Sequence, residues 1–168
     1  DRNNLRQMGI SLLLYANEPG RSGRLYVQSI DGGAPRPIAP EGFVSSYGGR
    51  AISPDGRWIA GVGPDRKIFV IPADGGDPRP LPGATAEELP WGWTADSRSL
   101  YIGRIAAPAK IEICDVTTGA RRPWKEIVPP DPAGVLAVGP ILITPDGRSY
   151  VYSYRRTLDD LFVVTGLE

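Results

Sequence analysis

The sequence predicts an all-β protein built from one supersecondary unit that is repeated along the chain. Three triplets, Leu25-Tyr26-Val27, Ile68-Phe69-Val70 and Ile111-Glu112-Ile113, each begin forty-three residues after the one before. A period in this range is typical of proteins in which one unit stacks on copies of itself. The 21 glycines and 18 prolines are spread over the whole length, as expected of short strands joined by tight turns. The sequence contains no long segment with helical periodicity.

The second unit shows the predicted plan of four strands most clearly. Its strands are expected at residues 47–53, 57–62, 67–71 and 78–81. The chain reverses at Ser53-Pro54-Asp55-Gly56, because proline presets φ at about −65° and glycine accepts a positive φ. Pro78 and Pro80 cannot donate ladder hydrogen bonds, so the fourth strand is expected at an edge of its sheet.

The other units follow the same plan with local departures. Strands are expected at residues 10–16, 23–30 and 35–38 in the first unit, at 91–93, 99–104, 110–115 and 120–127 in the third, and at 138–143, 149–155 and 160–165 in the fourth. The first unit has Gln7-Met8-Gly9 where the others have an aspartate turn. The fourth unit is preceded by extra residues around Pro129-Pro130-Asp131-Pro132, which predict a stiff, extended surface loop.

Four-stranded antiparallel units of this length are the blades of a β-propeller. A flat stack of hairpins is the alternative, but it would leave long exposed edges. The blades are expected at residues 1–40, 41–83, 84–128 and 134–168, as one propeller segment whose first and last blades are incomplete. Either the segment closes as a four-bladed ring or it forms the last blades of a larger one. The larger ring is favoured because the chain begins in mid-blade.

Charge and cysteine content limit the partners and the chemistry. The 19 basic and 19 acidic residues cancel, so no electrostatic attraction to nucleic acid is expected. No apolar run reaches the roughly 18 to 20 residues that span a bilayer, so membrane attachment would need a segment upstream of this chain. Cys114 stands alone in an apolar run and is expected to be a small buried hydrophobe.

The sequence also argues against an enzyme. Histidine is absent, which removes serine–histidine–aspartate catalysis and histidine-ligated zinc, and no cofactor is expected. Neighbouring residues on a strand point to opposite faces, so neither carboxylate pair, Glu87-Glu88 or Asp159-Asp160, is expected to form a catalytic site by itself. Both pairs are expected in solvated turns. Asp55, Asp96 and Asp146 recur once per blade and are expected to cap turns.

Aromatic residues provide the candidate binding sites. Trp91 and Trp93 lie two residues apart on a first strand, and Tyr47 and Arg50 occupy similar places one blade earlier. First strands line the central channel of a propeller, so these four residues predict a rim that binds a protein or peptide. The alternative is that the tryptophans pack between blades.

A second candidate patch lies near the end of the chain. It contains two tyrosines and two arginines, namely Tyr152, Tyr154, Arg155 and Arg156. The favoured interpretation of this group is the exposed surface of a second strand with cation–π stacking. Open blade edges also predict a possible homodimer.

The turns carry a family resemblance. Residues 53–57, 94–98 and 144–148, together with the Asp-Gly-Gly turns at 31–33 and 74–76, look like the TolB-type, WD-like propeller repeat. The resemblance covers nearly the whole chain and implies a propeller made of such blades. The resemblance does not imply one specific function.

A narrower resemblance involves the end of the chain. Residues 146–156 and 158–161 are similar to the carboxy-terminal ends of bacterial eukaryotic-like serine/threonine protein kinases that carry such a propeller. That similarity implies a sensor or scaffold module of a membrane-anchored kinase, on the extracytoplasmic side. None of the motifs of the kinase domain itself is present, so the chain is expected to be non-catalytic.

Two alternatives remain open. One is the gating propeller of a prolyl oligopeptidase-like peptidase, although the nearest approach to its nucleophile motif, Val44-Ser45-Ser46-Tyr47-Gly48, lacks the first glycine. The other is a free-standing TolB-like periplasmic partner of an envelope complex.

Overall fold

The computed structural model describes residues 10–15, 23–29, 31–45 and 50–158, with the side chains of 10–15 outside the description. These residues form thirteen strands and no helix. The predicted all-β class is therefore confirmed. Within the described part of the chain, no helix exists that could cross a bilayer.

The strands form one antiparallel sheet in each of the four repeats. In chain order they are β1 (Ile10–Tyr15), β2 (Arg24–Ser29), β3 (Gly32–Pro37), β4 (Val44–Ser45), β5 (Trp58–Val62), β6 (Ile68–Pro72), β7 (Arg79–Pro80), β8 (Leu89–Trp93), β9 (Ser99–Gly103), β10 (Ala109–Asp115), β11 (Arg121–Ile127), β12 (Val135–Ile143) and β13 (Tyr150–Arg156). The sheet orders are β1-β2-β3, β4-β5-β6-β7, β8-β9-β10-β11 and β12-β13. Below, these sheets are called blades 1 to 4.

Most predicted strands are found within a few residues of their expected positions. β7 is the edge strand of blade 2 and is only two residues long, as Pro78 and Pro80 predict. The first strand of blade 2 differs, because β4 comprises Val44–Ser45 and Ile52 makes only an isolated bridge to Ile59. The strand predicted at residues 160–165 lies outside the described residues.

Three apolar clusters lie between successive sheets. The first joins blades 1 and 2 through Leu25, Ile59 and their neighbours, and the second joins blades 2 and 3 through Ile68 and Leu100. The third joins blades 3 and 4, where Ile111 of β10 packs with residues of β12. Because alternate residues of a strand point to opposite faces, blades 2 and 3 each contribute to two clusters. This stacking of sheets is what the repeat predicts.

The repeated aspartates cap their turns, as predicted. The Oδ1 atoms of Asp55, Asp96 and Asp146 each accept a backbone N–H two residues later, at 3.0 to 3.1 Å. Each Oδ1 also accepts the hydroxyl hydrogen of the residue two positions earlier. These bonds lower the pKa of Asp96, first through the Thr94 hydroxyl and then through the backbone N–H of Arg98. Capping therefore keeps the carboxylate charged.

Candidate functional site

Three of the four residues of the predicted binding rim lie among the described residues, namely Arg50, Trp91 and Trp93. Trp91 and Trp93 of β8 are 1% and 2% exposed, whereas Arg50 is exposed. Tyr47 lies outside the described residues. Neither indole therefore offers surface to a ligand, and both occupy the packed positions that were the alternative interpretation. The physical reason is the irregularity of β8 between Pro90 and Gly92, which breaks the alternation and turns the two indoles to opposite faces of the sheet, into two different spaces between blades.

The two tryptophans differ in the cluster they pack in and in the hydrogen bonding of their indole nitrogens. The Trp93 side chain packs in the cluster between blades 2 and 3, and its Nε1 donates a 2.8 Å hydrogen bond to the carbonyl oxygen of Ala51. The Trp91 side chain packs in the cluster between blades 3 and 4. Its buried Nε1 has no hydrogen-bond partner among the residues that the structure describes. Trp93 thus adds a directional contact between blades that Trp91 lacks.

One of the paired carboxylates is not in a solvated turn, contrary to expectation. Glu88 is 6% exposed, and its Oε1 lies 2.6 Å from Nη1 of Arg121. Its Oε2 accepts a second guanidinium hydrogen at 3.1 Å and the backbone N–H of Thr85 at 2.8 Å. Glu87 does remain exposed, in an ion pair with Arg104. Sequence reasoning missed the buried pair because its partners are 33 residues apart and no local motif joins them.

The Arg121 guanidinium is the centre of this network. It also bonds Glu112 at 3.1 Å and the carbonyl oxygen of Gly83 at 2.7 Å. Burial acts to raise the pKa of Glu88, but the hydrogen bonds from Arg121 and Thr85 and the guanidinium charge together hold that pKa below its ordinary value. The network therefore stays charged and joins the connection before β8 to the outer strand β11.

An aromatic stripe runs from blade 3 onto blade 4, and we define it as Trp124, Tyr150, Tyr152 and Tyr154. The Trp124 and Tyr150 ring centroids are 5.7 Å apart in an edge-to-face arrangement. Tyr150 and Tyr152 are 6.1 Å apart, and Tyr152 and Tyr154 are 6.4 Å apart. Tyr150 and Tyr154 are exposed, while Tyr152 is half-buried. The alternation of β13 aligns the three tyrosines on one face.

A cleft of about 650 Å³ adjoins this stripe. Trp124 and Lys125 line the cleft, and the Lys125 ammonium lies 5.1 Å over the Tyr150 ring. Lys110 and Glu126 bring charges of both signs to the walls, and Ile111 contributes apolar surface. The cation–π contact at β13 joins Lys125 and Tyr150, neither of which belongs to the group Tyr152, Tyr154, Arg155 and Arg156 for which such stacking was predicted.

The described side chains include neither a metal-binding cluster nor an exposed thiol. No group of three or more histidine, cysteine, aspartate or glutamate residues there could hold a metal ion. Cys114 is fully buried, as predicted, and burial raises the pKa of its thiol. A neutral, enclosed thiol is a poor nucleophile. The exposed tyrosines of the stripe and the adjoining cleft form the candidate recognition surface.

Comparison with known proteins identifies the fold. No protein-family model matches the chain, and no curated protein matches it. Among solved structures, the chain is similar to the crystal structure of TolB from Acinetobacter baumannii, with a TM-score of 0.50 and 12% sequence identity. The match covers 86% of this chain and 40% of the TolB chain. At this identity the likeness concerns the fold alone, and the four stacked sheets are those of a TolB-like β-propeller segment.

Proposed function

We propose that this chain is a non-catalytic β-propeller module that binds a protein or peptide through the aromatic stripe and the adjoining cleft. The observation that supports this proposal most is their continuity, because Trp124 belongs to both features and Lys125 of the cleft lies over the Tyr150 ring of the stripe. Tyrosine and tryptophan are enriched in protein interfaces, since they bury large areas with few rotatable bonds.

Charge in the cleft favours an extended peptide with polar side chains. The acids Glu88 and Glu112 are already paired with Arg121. Lys110 and Glu126 are exposed and opposite each other in the β10–β11 pairing, so a ligand would meet both signs of charge within a short distance. The tyrosines add hydroxyl groups that can donate and accept hydrogen bonds. Such a surface suits neither a polyanion nor a fully apolar ligand.

An array of random peptides, probed with the purified chain, tests binding at this surface. We expect a subset of peptides to bind, and we expect Tyr154→Ser and Lys125→Gln each to weaken that binding about tenfold. Lys67→Gln is the matched control, because Lys67 is an exposed lysine of blade 2, far from the stripe in sequence. Peptide binding that all three variants retain equally would overturn the assignment of this surface.

The absence of catalysis is tested separately. The purified chain should show no hydrolase or kinase turnover above background. A rate that survives purification and increases with the amount of the chain would contradict the non-catalytic assignment.

We infer further that this module is the sensor or scaffold portion of a bacterial serine/threonine protein kinase, positioned on the extracytoplasmic face. The support is the resemblance of residues 146–156 and 158–161 to the ends of such kinases. The gene sequence upstream of Asp1 tests this context, because a kinase catalytic loop and a membrane-spanning segment are expected there. A signal peptide with no other domain upstream would favour a free-standing TolB-like protein instead.

A further inference from the structure

A groove of about 500 Å³ lies between blades 2 and 3. Trp58, Arg79 and Pro80 of blade 2 line one side of it, and Arg98 and Thr117 of blade 3 line the other. The Trp58 side chain is half-buried, whereas the other four residues are exposed. Both sheets contain four strands, so the groove lies between two complete blades. We call it the interblade groove.

The preceding interface, between blades 1 and 2, shows what an arginine at the position of Arg79 can bind. Arg36 and Arg79 are forty-three residues apart, and they pair with equivalent residues of β2 and β6. Two guanidinium nitrogens of Arg36 donate hydrogen bonds of 2.7 and 2.9 Å to the carbonyl oxygens of Asp74 and Ala73 in the next blade. The planar fork of Arg36 is therefore filled by two oxygen acceptors.

Among the described residues, the counterpart of this contact is absent between blades 2 and 3. The residues forty-three positions after those two acceptors are Val116 and Thr117, and both line the interblade groove. Arg79 instead lies over Trp58 of its own blade, with its guanidinium carbon 5.5 Å from the centroid of the ring. Within the part of the chain that the structure describes, this guanidinium makes no hydrogen bond and no ion pair. Its N–H donors therefore remain available to a ligand.

A carboxylate is the ligand group that matches this guanidinium. Its two oxygens fit the planar fork of an arginine, which binds carboxylates through two parallel hydrogen bonds. The Trp58 ring holds the Arg79 guanidinium by cation–π attraction, so less side-chain freedom is lost when the fork is filled. The groove is lined by two arginines and two aspartates, so it has no net charge that would attract a polyanion. Recognition therefore depends on the geometry of one fork.

We propose that the interblade groove binds a single carboxylate of a peptide through the fork of Arg79, held above Trp58. Pro80 and Pro82 add apolar surface to the groove, which suits the aliphatic part of the residue that carries the carboxylate. The interblade groove and the cleft beside the aromatic stripe share no lining residue. The carboxylate site is therefore independent of peptide binding at the stripe.

The indole N–H signals in nitrogen–proton NMR spectra locate the bound carboxylate, because the chain has only four tryptophans. Titration with acetyl-Ala-Glu-Ala-amide or with acetyl-Ala-Ala-Ala should shift the Trp58 signal to saturation, and the two peptides distinguish a side-chain carboxylate from a terminal one. Acetyl-Ala-Gln-Ala-amide should leave that signal unchanged. Trp91 and Trp93 are buried and serve as internal controls. A Trp58 signal that neither carboxylate peptide moves would overturn the proposal, and a saturable shift of Trp124 alone would place the carboxylate in the cleft instead.

Two lysine substitutions that keep the net charge separate the fork from general attraction. Arg79→Lys retains a positive charge but loses the planar fork, so it should weaken binding of the carboxylate peptide about tenfold. Arg57→Lys is the matched control, because Arg57 is an exposed arginine next to Trp58 in the chain that does not line the interblade groove. It should leave the affinity unchanged. Equal affinities of the wild type and Arg79→Lys would overturn the proposal, and unchanged signals of the buried indoles would verify that both variants are folded.

Discussion

Trp93 and Ala51 join two neighbouring blades, because the indole Nε1 of Trp93 donates a 2.8 Å hydrogen bond to the Ala51 carbonyl oxygen. The donor lies in β8 of blade 3, and the acceptor precedes β5 of blade 2. Both residues are buried, so the bond is shielded from water. Together with the 3.1 Å bond from the Asp55 backbone N–H to the Ser97 hydroxyl, it adds direction to an interface whose core is apolar.

The two tryptophans of β8 provide a matched pair for measuring this bond. Trp93→Phe should lower the free energy of unfolding by about 2 kcal/mol, through lost packing and the lost hydrogen bond. Trp91→Phe should cost about 1 kcal/mol less, because it removes an indole N–H without a hydrogen-bond partner among the described residues. Urea unfolding measures both values. Equal losses would show that the hydrogen bond contributes no net stability.

The buried ion pair should respond strongly to the removal of its cation. Arg121→Ala leaves the Glu88 carboxylate buried without its partner and should cost about 3 kcal/mol of unfolding free energy. Arg104→Ala is the control, because both side chains of its ion pair with Glu87 are more than half exposed. That change should cost less than about 1 kcal/mol. Similar losses in the two variants, measured by urea unfolding, would contradict the special role of Arg121.

The stability contributed by Glu88 should depend on pH in a defined direction. Its pKa in the folded chain lies below the ordinary value of 4.5, so folding favours the ionised form. The contribution is therefore fully present above pH 4.5 and is lost as the pH falls towards the folded-state pKa. The stability difference between wild type and Glu88→Gln should be largest at neutral pH and shrink below pH 4.5. A difference that stays constant between neutral and acidic pH would be incompatible with this linkage.

Repeat spacing and turn chemistry were enough to predict the class of fold. The forty-three-residue interval located β2, β6 and β10, and the capping role of Asp96 followed from the turn that contains it. These features are local or periodic, so they can be read without knowing which residues meet in space. The forty-three-residue interval also predicted the length of the unit that stacks. The stacked sheets resemble part of TolB.

Features that depend on tertiary contacts could not be predicted. Glu88 looks like a surface carboxylate in sequence, and only the approach of Arg121 from β11 makes its burial tolerable. Trp91 and Trp93 have the spacing of a ligand rim, because regular alternation would place them on one face of β8. An irregularity between Pro90 and Gly92 instead directs them into two different interblade cores, and the sequence does not announce it. The stripe from Trp124 to Tyr150 crosses a blade boundary, so no single sequence motif contains it.

Two glycines with similar φ angles allow the energetic cost of a steric clash to be measured apart from that of backbone strain. Gly147 ends the turn before β13 with φ of 66°, and a Cβ there would lie 2.6 Å from the Tyr101 hydroxyl oxygen. Gly83 has φ of 71°, but a Cβ there would meet no described atom within 4 Å. Gly83→Ala should therefore cost only the backbone penalty of about 1 kcal/mol.

Gly147→Ala should cost more, about 2 to 3 kcal/mol, because the buried Tyr101 ring must also move. Urea unfolding compares the two alanine variants, and Gly147→Ala combined with Tyr101→Phe identifies the clashing atom. Removing the hydroxyl should recover most of the difference between the two glycine positions. If the double variant is no more stable than Gly147→Ala alone, the Tyr101 hydroxyl is not what excludes a side chain from this turn.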